Sequence, residues 1–354
     1  MKISGVDLFA GAGGLSLGAK KAGIDVVLAI ENNKAAAASY KANHQSSEVI
    51  ESDIQSIKPR QYKNLKPLVL FGGPPCQGFS TSNQRTRNTD NPRNWLFSEV
   101  FRFAKILKPE WIVLENVTGL QGTAQGLFID LIEKEFKKMK YTTAVWNLCA
   151  ADFGVPQTRN RLFIIGRRNC GEIPDPPKPK NATAVTVREA IADLPRLLPG
   201  SKIDKLAYGK SKPSKYAKRM RGRNKICSGN LVTANNKLVI KRYEHIPEGG
   251  NWCDIPKRLM RNYTNLINDR SRHSGIYKRL KWNSPSVVIA NFRKNMLIHP
   301  SQNRGLSVRE AARIQSFPDD YSFSGSIGQQ QQQISNAVPP LLAKAVFKHI
   351  IANT

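Results

Sequence analysis

ISGVDLFAGAGGLSLGAKKAGIDVVLAIE, residues Ile3–Glu31, is where the chain declares its architecture. The apolar run Ile3–Leu8 reads as a short strand, the cluster Gly11, Gly13 and Gly14 as a tight turn, and Leu15–Lys21 as a helix. Val26–Ile30 is a second strand, closing on Glu31. The alternation continues outward. Leu68–Phe71 and Trp111–Leu114 are buried-strand candidates, the latter preceded by a helical run from Trp95 to Leu107, and Thr143–Cys149 and Arg161–Arg167 close the series. Strands separated by helices imply an α/β fold, a doubly wound, mostly parallel sheet with helices on both faces. Ligands of such sheets bind beyond the carboxyl ends of the strands.

The pattern stops at EIPDPPKPK (Glu172–Lys180), whose four prolines and missing hydrophobic period make it a linker. Beyond it the chain is irregular, basic and rich in Asn, Gly and Pro until about Asn303. Helical periodicity returns in SVREAARIQSF (Ser307–Phe317) and from Pro340 to Ile351. Three parts are therefore expected: a first domain over 1–180, a smaller irregular domain over 181–305, and a return segment over 306–354 that completes the first. There is no internal repeat.

Charge points to the partner. Lys and Arg number 55 against 26 Asp and Glu, a formal net charge of +29. An excess of this size marks a polyanion partner, because each neutralised phosphate releases condensed counterions. The charge is also clustered: eleven basic residues and one acid, Asp204, lie between Arg196 and Lys225. Eight more, with Asp269, lie between Lys257 and Lys281. Such runs read as a nucleic-acid footprint, with Arg219, Arg221 and Arg223 among the expected phosphate contacts. Five cysteines, an odd number without a close pair, argue against a disulfide framework or a zinc site, so no metal is expected. No apolar run approaches the roughly 20 residues of a membrane helix. Asp7 interrupts the apolar stretch that a secretory signal would need, which predicts a cytoplasmic protein.

DLFAGAGGLSLG (Asp7–Gly18) follows a strand and opens a helix, so its amides and the helix N-terminus suit a carboxylate-bearing ligand. It is a poor dinucleotide fingerprint: read from Gly11, the third glycine position holds Ser16. Glu31, at the next strand end, is placed to accept from ribose hydroxyls, and Asp53 from an adenine amino group; a solvated loop carboxylate is the competing reading for each. LVLFGGPPCQGFS (Leu68–Ser80) holds Cys76 in a stiff turn after a buried strand, where a thiol can be exposed and electropositively surrounded. A structural cysteine is the competing reading. WIVLENV (Trp111–Val117) brings Glu115 and Asn116 to the same sheet edge, and FGVPQTRNRLFIIG (Phe153–Gly166) adds Arg159 and Arg161 before another strand. A nucleophile, a carboxyl group and two guanidinium groups converging there suit an electron-poor ring.

These residues carry a resemblance. DLFAGAGG, Glu31, Asp53, GGPPCQGFS, ENV, QTRNR, SVREAARIQSFP and SNAVPP (Ser335–Pro340) resemble, in order and over almost the whole chain, the motifs of the DNA (cytosine-5)-methyltransferase family, bacterial or phage modification type. The ordered triplet Pro-Cys-Gln, Glu-Asn-Val and Gln-x-Arg-x-Arg is very specific. One departure stands out: Ser335 occupies a position where the family usually has Gly, which puts the local backbone geometry in question.

The resemblance implies a Rossmann-like, S-adenosyl-L-methionine-dependent methyltransferase with a separate target-recognition domain. The cofactor would lie on Phe9, Ala10, Gly11, Gly13, Gly14, Glu31, Asp53, Ile54, Pro74 and Asn336. Cys76 would add to C6 of a flipped cytosine in double-stranded DNA. Glu115 would hold N3 and the exocyclic amine, Arg161 the O2 oxygen, and Arg159 would support Cys76, with Asn116 positioning Glu115. Gln77–Asn94 would form a lid, from which Gln77 and Ser80 touch DNA. The resemblance further implies a stand-alone monomer in the bacterial cytosol or nucleoid, an orphan or restriction-modification enzyme needing no direct contact with a cognate endonuclease. Arg309, Glu310 and Arg313 would be structural ties. The nearest alternative is an RNA cytosine-C5 methyltransferase of the same family. The long basic recognition lobe and the missing Cys-Phe-Thr insertion of the tRNA-methylating branch argue against it. A nicotinamide oxidoreductase leaves Cys76, Glu115 and Arg161 unexplained, and a non-catalytic DNA-binding relative leaves the intact Pro-Cys-Gln motif unexplained.

Overall fold

Seven strands form one sheet: β1 (Ser4–Leu8), β2 (Asp25–Glu31), β3 (Glu48–Glu51), β4 (Val69–Gly72), β5 (Trp111–Asn116), β6 (Tyr141–Cys149) and β7 (Asn160–Arg168). Their order across the sheet is β3-β2-β1-β4-β5-β7-β6. The computed structural model describes residues 3–75, 95–122, 126–169, 171–179, 183–261, 263, 275–290, 292 and 297–354. β1 to β5 are parallel, and β7 runs against both β5 and β6. The sheet is thus mostly parallel, as the strand–helix alternation required. The chain winds outward from β1 in one direction and resumes with β4 in the other, so the topological switch point lies between β1 and β4.

The helices of the alternation are α1 (Gly14–Ala22), α2 (Lys34–Asn43), α3 (Phe97–Leu107), the short α4 (Gly119–Gly122) and α5 (Leu127–Lys138). Those that follow are α6 (Val187–Ile191), α7 (Lys215–Arg221), α8 (Lys237–Glu244), α9 (Val308–Ile314), α10 (Ile327–Asn336) and α11 (Pro340–Ile351). α1 begins on Gly13 and stops at Gly23, both left-handed, and Gly23 returns its N–H to the helix's last carbonyls. Asn33 caps α2 by accepting the Ala36 N–H at 3.0 Å. Ser307 with Glu310, and Ser326 with Gln329, close reciprocal caps on α9 and α10.

The chain divides into two compact units. Unit 1 comprises Met1–Phe153, Asn160–Lys180 and Val338–Thr354; unit 2 comprises Gly154–Arg159 and Asn181–Ala337. In unit 1 the alternate residues Val6, Leu8, Leu28, Ile30, Leu70, Ile112 and Leu114 bury one sheet face against α3 and α5 through Phe97, Phe101, Phe103, Phe128 and Phe136. The other face carries α1, α2 and α11. There Gly18 lets two helices touch, because a Cβ on it would stand 2.3 Å from the Cβ of Ala343 in α11.

Among the described residues, unit 2 is built from short helices and one two-stranded ladder, β8 (Leu206–Ala207) with β9 (Ile226–Cys227). Its apolar cluster gathers Val239, Tyr243, Ile246, Trp252, Ile255, Met260, Tyr277 and Ile298. Buried arginines act as ties. Arg279 donates to the carbonyls of Tyr243, Ile246, His299 and Gln302. Arg304 pairs with Glu310 at 2.7 Å, and Arg313 with Asp319 at 2.7 Å and Asp193 at 2.6 Å. Arg309 reaches the carbonyls of Ser228, Pro318 and Tyr321. Among the described residues, no helix is long and apolar enough to cross a membrane.

Candidate active site

Five parallel strands end at one edge of the sheet, and the residues following β1, β2, β4 and β5 are those singled out in the sequence. After β1 the backbone takes positive φ at Phe9 (62°), Gly11 (56°) and Gly13 (89°). Gly13 donates to the Ala10 carbonyl at 3.0 Å, and Ala10 to the Ile30 carbonyl at 3.0 Å, which ties the turn to β2. Glu31 completes the tie: Oε2 accepts the Gly11 N–H at 2.8 Å and Oε1 the Asn33 N–H at 2.7 Å. Burial raises the Glu31 pKa, and the backbone donors oppose the rise. A Cβ on Gly11 would meet nothing within 4 Å, so the turn opens onto free space in front of the α1 N-terminus. Ala10, Gly13 and Gly14 are buried behind it.

This corner fits S-adenosylmethionine. A carboxylate-bearing ligand finds the positive end of α1, and the carboxyl group of Glu31 retains acceptor capacity for ribose hydroxyls. Asp53 is exposed and accepts the Gln55 N–H at 3.0 Å, while Ile54 beside it is buried.

Sequence reasoning missed the support beneath this turn. Ser16 donates to Asp7 Oδ2 at 2.5 Å and accepts from the Tyr40 hydroxyl at 2.7 Å. The signal was present in the failed fingerprint. At the position of a dinucleotide motif's third glycine stands a serine whose hydroxyl donates to a buried carboxyl group on β1. Burial pushes the Asp7 pKa up to about 8, with the Ser16 hydrogen bond opposing.

The second corner lies on β4, β5 and β7. Gly72, the last residue of β4, sits beside Leu8 of β1 at the switch point, and a Cβ there would be 2.0 Å from the Leu8 carbonyl oxygen. A Cβ on Gly73 would be 2.9 Å from Glu115 Oε2, so glycine lets the chain pass close over that carboxylate toward Pro74. Because β7 is antiparallel, its first residues lie at the edge where β5 ends: Asn116 pairs with Leu162, and Glu115 with Phe163. Arg161 Nε thereby meets Glu115 Oε1 at 2.9 Å, with side chains only 11% and 12% exposed. Burial lowers the Arg161 pKa, and the Glu115 charge opposes the shift. Asn116 Nδ2 donates to the Pro74 carbonyl at 3.4 Å, and its Oδ1 accepts the Val117 N–H at 2.8 Å. The Glu-Asn-Val turn is thus bonded to the Gly-Gly-Pro-Pro turn.

Other candidates belong to unit 2. Arg159 is buried in unit 2, donating to the carbonyls of Ile289 at 3.2 Å, Ser335 at 2.8 Å and Ala337 at 3.3 Å. Ser335 is accommodated inside α10, its hydroxyl bonded to the Ala290 and Gln331 carbonyls. Asn336 is exposed at the end of α10 and accepts from Gln332 at 2.7 Å. Arg219 and Arg223 are exposed, whereas Arg221 is held by Asp193 at 2.6 Å and stacked over Tyr208 at 3.7 Å. Cys76, Gln77, Ser80 and the remainder of the expected lid to Asn94 lie outside the described residues.

Known proteins align with the whole chain. The profile described as C-5 cytosine-specific DNA methylase matches residues 3–352. Type II methyltransferase M1.HphI of Haemophilus parahaemolyticus is 34% identical, covering 99% of this chain and 87% of that protein. Type II methyltransferase M.DdeI of Desulfomicrobium norvegicum is 35% identical over 98% and 88%. A putative DNA modification methyltransferase encoded within an Escherichia coli prophage superposes with a TM-score of 0.80 at 26% identity, covering 99% of each chain. Spodoptera frugiperda DNMT2 shares the fold alone, at TM-score 0.60 and 16% identity over 99% of each chain.

Proposed function

Because the chain belongs to the C-5 cytosine-specific DNA methylase family, and so is a DNA cytosine-C5 methyltransferase using S-adenosylmethionine, we propose that Cys76 is its nucleophile and that Glu115 and Arg161 hold the target ring. The observation that carries this reading is the half-enclosed Arg161–Glu115 pair at 2.9 Å, bonded through Asn116 to the turn that leads into Cys76. Cytosine C5 is a weak nucleophile. Addition of the Cys76 thiolate to C6 makes the ring an enamine and C5 reactive. Glu115 engages N3 and the exocyclic amine as the added proton is stabilised at N3. Arg161 offers its remaining N–H groups to O2, and its bond to Glu115 fixes the carboxylate plane. S-adenosylmethionine supplies the electrophilic methyl group. Loss of the C5 proton then expels Cys76. Reaching C6 requires a flipped base, with Gln77–Asn94 closing behind it and Gln77 and Ser80 touching the DNA.

The cofactor residues proposed are Phe9, Ala10, Gly11, Gly13, Gly14, Glu31, Asp53, Ile54, Pro74 and Asn336. Arg159 acts as a positioning residue: its three carbonyl partners hold the chain two residues before Arg161. Domain limits of 1–180, 181–305 and 306–354 are proposed for catalysis, recognition and return, although the compact units differ in placing Gly154–Arg159 and the chain through Ala337 in unit 2. Arg219 and Arg223 belong to the DNA-facing surface of the recognition domain, whereas Arg221, expected there from the sequence, serves as a tie to Asp193. The enzyme acts as a monomer on double-stranded DNA in the bacterial cytosol or nucleoid. The names of M1.HphI and M.DdeI support a type II modification role in which a cognate endonuclease needs no contact with this chain. An RNA substrate has weaker support, since the DNMT2 likeness at 16% identity concerns the fold alone.

DNA carrying 5-fluorocytosine tests the nucleophile, because fluorine at C5 cannot leave as a proton and the adduct accumulates. With S-adenosylmethionine present, a covalent complex is expected that Cys76→Ala abolishes. A complex that survives Cys76→Ala refutes the assignment. Glu115→Gln is expected to lower turnover by about 100-fold or more. Methylation-sensitive sequencing of DNA from cells expressing the chain identifies the target sequence.

A further inference from the structure

Unit 2 contains a cavity of about 390 Å³ that plays no part in the chemistry above. Small-molecule sites span about 300–1,000 Å³, so it is large enough for one compact ligand. Its rim carries Arg196 and Lys210, both exposed; one wall is Trp282, and His299, Gln302 and Glu310 line its depth.

The walls are fixed. Gly209 donates to the Asp193 carbonyl at 2.8 Å, and a Cβ on it would stand 2.8 Å from the Leu194 carbonyl, so only glycine allows this approach. The Trp282 N–H donates to Glu248 at 2.6 Å and its carbonyl accepts the Arg188 N–H at 2.9 Å. The Arg188 guanidinium lies 5.1 Å from the centre of the indole ring.

One point of the interior lacks an acceptor. His299 Nδ1 accepts the Ser301 N–H at 3.2 Å, which leaves the proton of the neutral ring on Nε2. Burial keeps this ring neutral, lowering its pKa to about 4. Gln302 Oε1 accepts from Arg304 at 3.1 Å, so the nitrogen of that amide is what faces His299 Nε2, at 3.3 Å. Two donors therefore confront each other with no acceptor between them. Glu310 does not fill that role, because its nearer oxygen stands 3.7 Å from His299 Nε2, beyond hydrogen-bond distance, and is turned to Arg304 at 2.7 Å. No carboxylate pairs with Arg196 or Lys210 among the described residues. Two cations at the mouth, an aromatic wall and paired N–H donors inside describe a phosphate ester carrying a flat, acceptor-bearing ring.

We propose that this cavity is a binding site for a single nucleotide, its phosphate at Arg196 and Lys210, its base beside Trp282 with an acceptor atom on His299 and Gln302. The nucleotide comes either from DNA, as an unpaired residue, or from the free pool.

Isothermal titration of the full chain with dAMP, dCMP, dGMP, dTMP and inorganic phosphate tests the proposal. At least one nucleotide is expected to bind more tightly than phosphate. Arg196→Ala/Lys210→Ala, at two exposed positions, weakens it about tenfold or more, and Trp282→Leu weakens it by about tenfold. No nucleotide binding at millimolar concentration, phosphate binding equal to nucleotide, or affinity unchanged in Arg196→Ala/Lys210→Ala overturns it. A duplex with a one-nucleotide bulge separates the sources. Preference for it over the paired duplex, lost in the double variant, assigns the nucleotide to DNA; mononucleotide binding without that preference assigns it to the free pool. None of these readouts needs methyl transfer, so a negative result leaves the methyltransferase assignment standing.

Discussion

Asp7 shows how a single residue can link the cofactor turn to pH. It is 1% exposed, and its burial among Ser16 and Tyr40 favours the protonated form. A carboxyl group whose folded pKa lies above its unfolded value, about 3.9, binds its proton more tightly in the folded chain. Its contribution to stability is therefore fullest below about pH 4 and is lost as pH rises to about 8. Asp7→Asn keeps an acceptor for Ser16 and removes the titration. Urea unfolding at pH 5, 6.5 and 8 should show the variant gaining on the parent by at least about 1 kcal/mol across that interval. A constant difference contradicts the buried, protonated state. Asp7 was visible in the sequence only as an interruption of an apolar run. Ser16 donates to it across 9 residues and Tyr40 donates to Ser16 across 24, so no local pattern announced the network.

At the scale of elements, strands were legible where they are buried on both faces, because parallel central strands appear as continuous apolar runs. β1, β2, β4 and β5 read in this way. β3, Glu-Val-Ile-Glu at the sheet edge with exposed ends, did not, having too few apolar residues to show a period. The direction of β7 was equally hidden, since an apolar run has no polarity. Yet that reversal is what sets Arg161 beside Glu115. Arg159 and Arg161 looked alike in Gln-x-Arg-x-Arg and have different surroundings, because spacing of two says nothing about which carbonyls lie nearby. Helix contact was likewise unreadable at Gly18, which meets Ala343 more than three hundred residues away. Ala is the better helix former by about 1 kcal/mol. Gly18→Ala should nevertheless destabilise the protein, by about 1–3 kcal/mol, since its Cβ would lie 2.3 Å from that of Ala343. A thermal midpoint equal to or above the parent's refutes this account of the contact.

For the whole molecule, a net charge of +29 overstates the cations available to DNA. Arg159, Arg304, Arg309 and Arg313 are at most 1% exposed and serve carbonyls and carboxylates, and Arg221 is held by Asp193. Composition registers all of these as a DNA footprint; only the fold separates ties from contacts. DNA affinity should still fall steeply with salt. Replacing exposed Arg219 or Arg223 with Ala should reduce the slope of log affinity against log salt by about 1 each. Arg221→Ala should leave the slope nearly unchanged and lower the urea midpoint. Equal slope changes for all three variants would show that Arg221 also meets phosphate.

The sheet of unit 1 begins with β1, and α11 covers one of its faces. Trp111 in β5 donates to the Thr354 hydroxyl across 243 residues. During synthesis, at about 5–20 residues per second, the first strands wait for on the order of tens of seconds before that covering helix exists. Unit 2, whose residues end at Ala337, is fully translated first. Unit 1, begun before unit 2 on the ribosome, therefore completes its sheet covering only after the residues of unit 2 have been made.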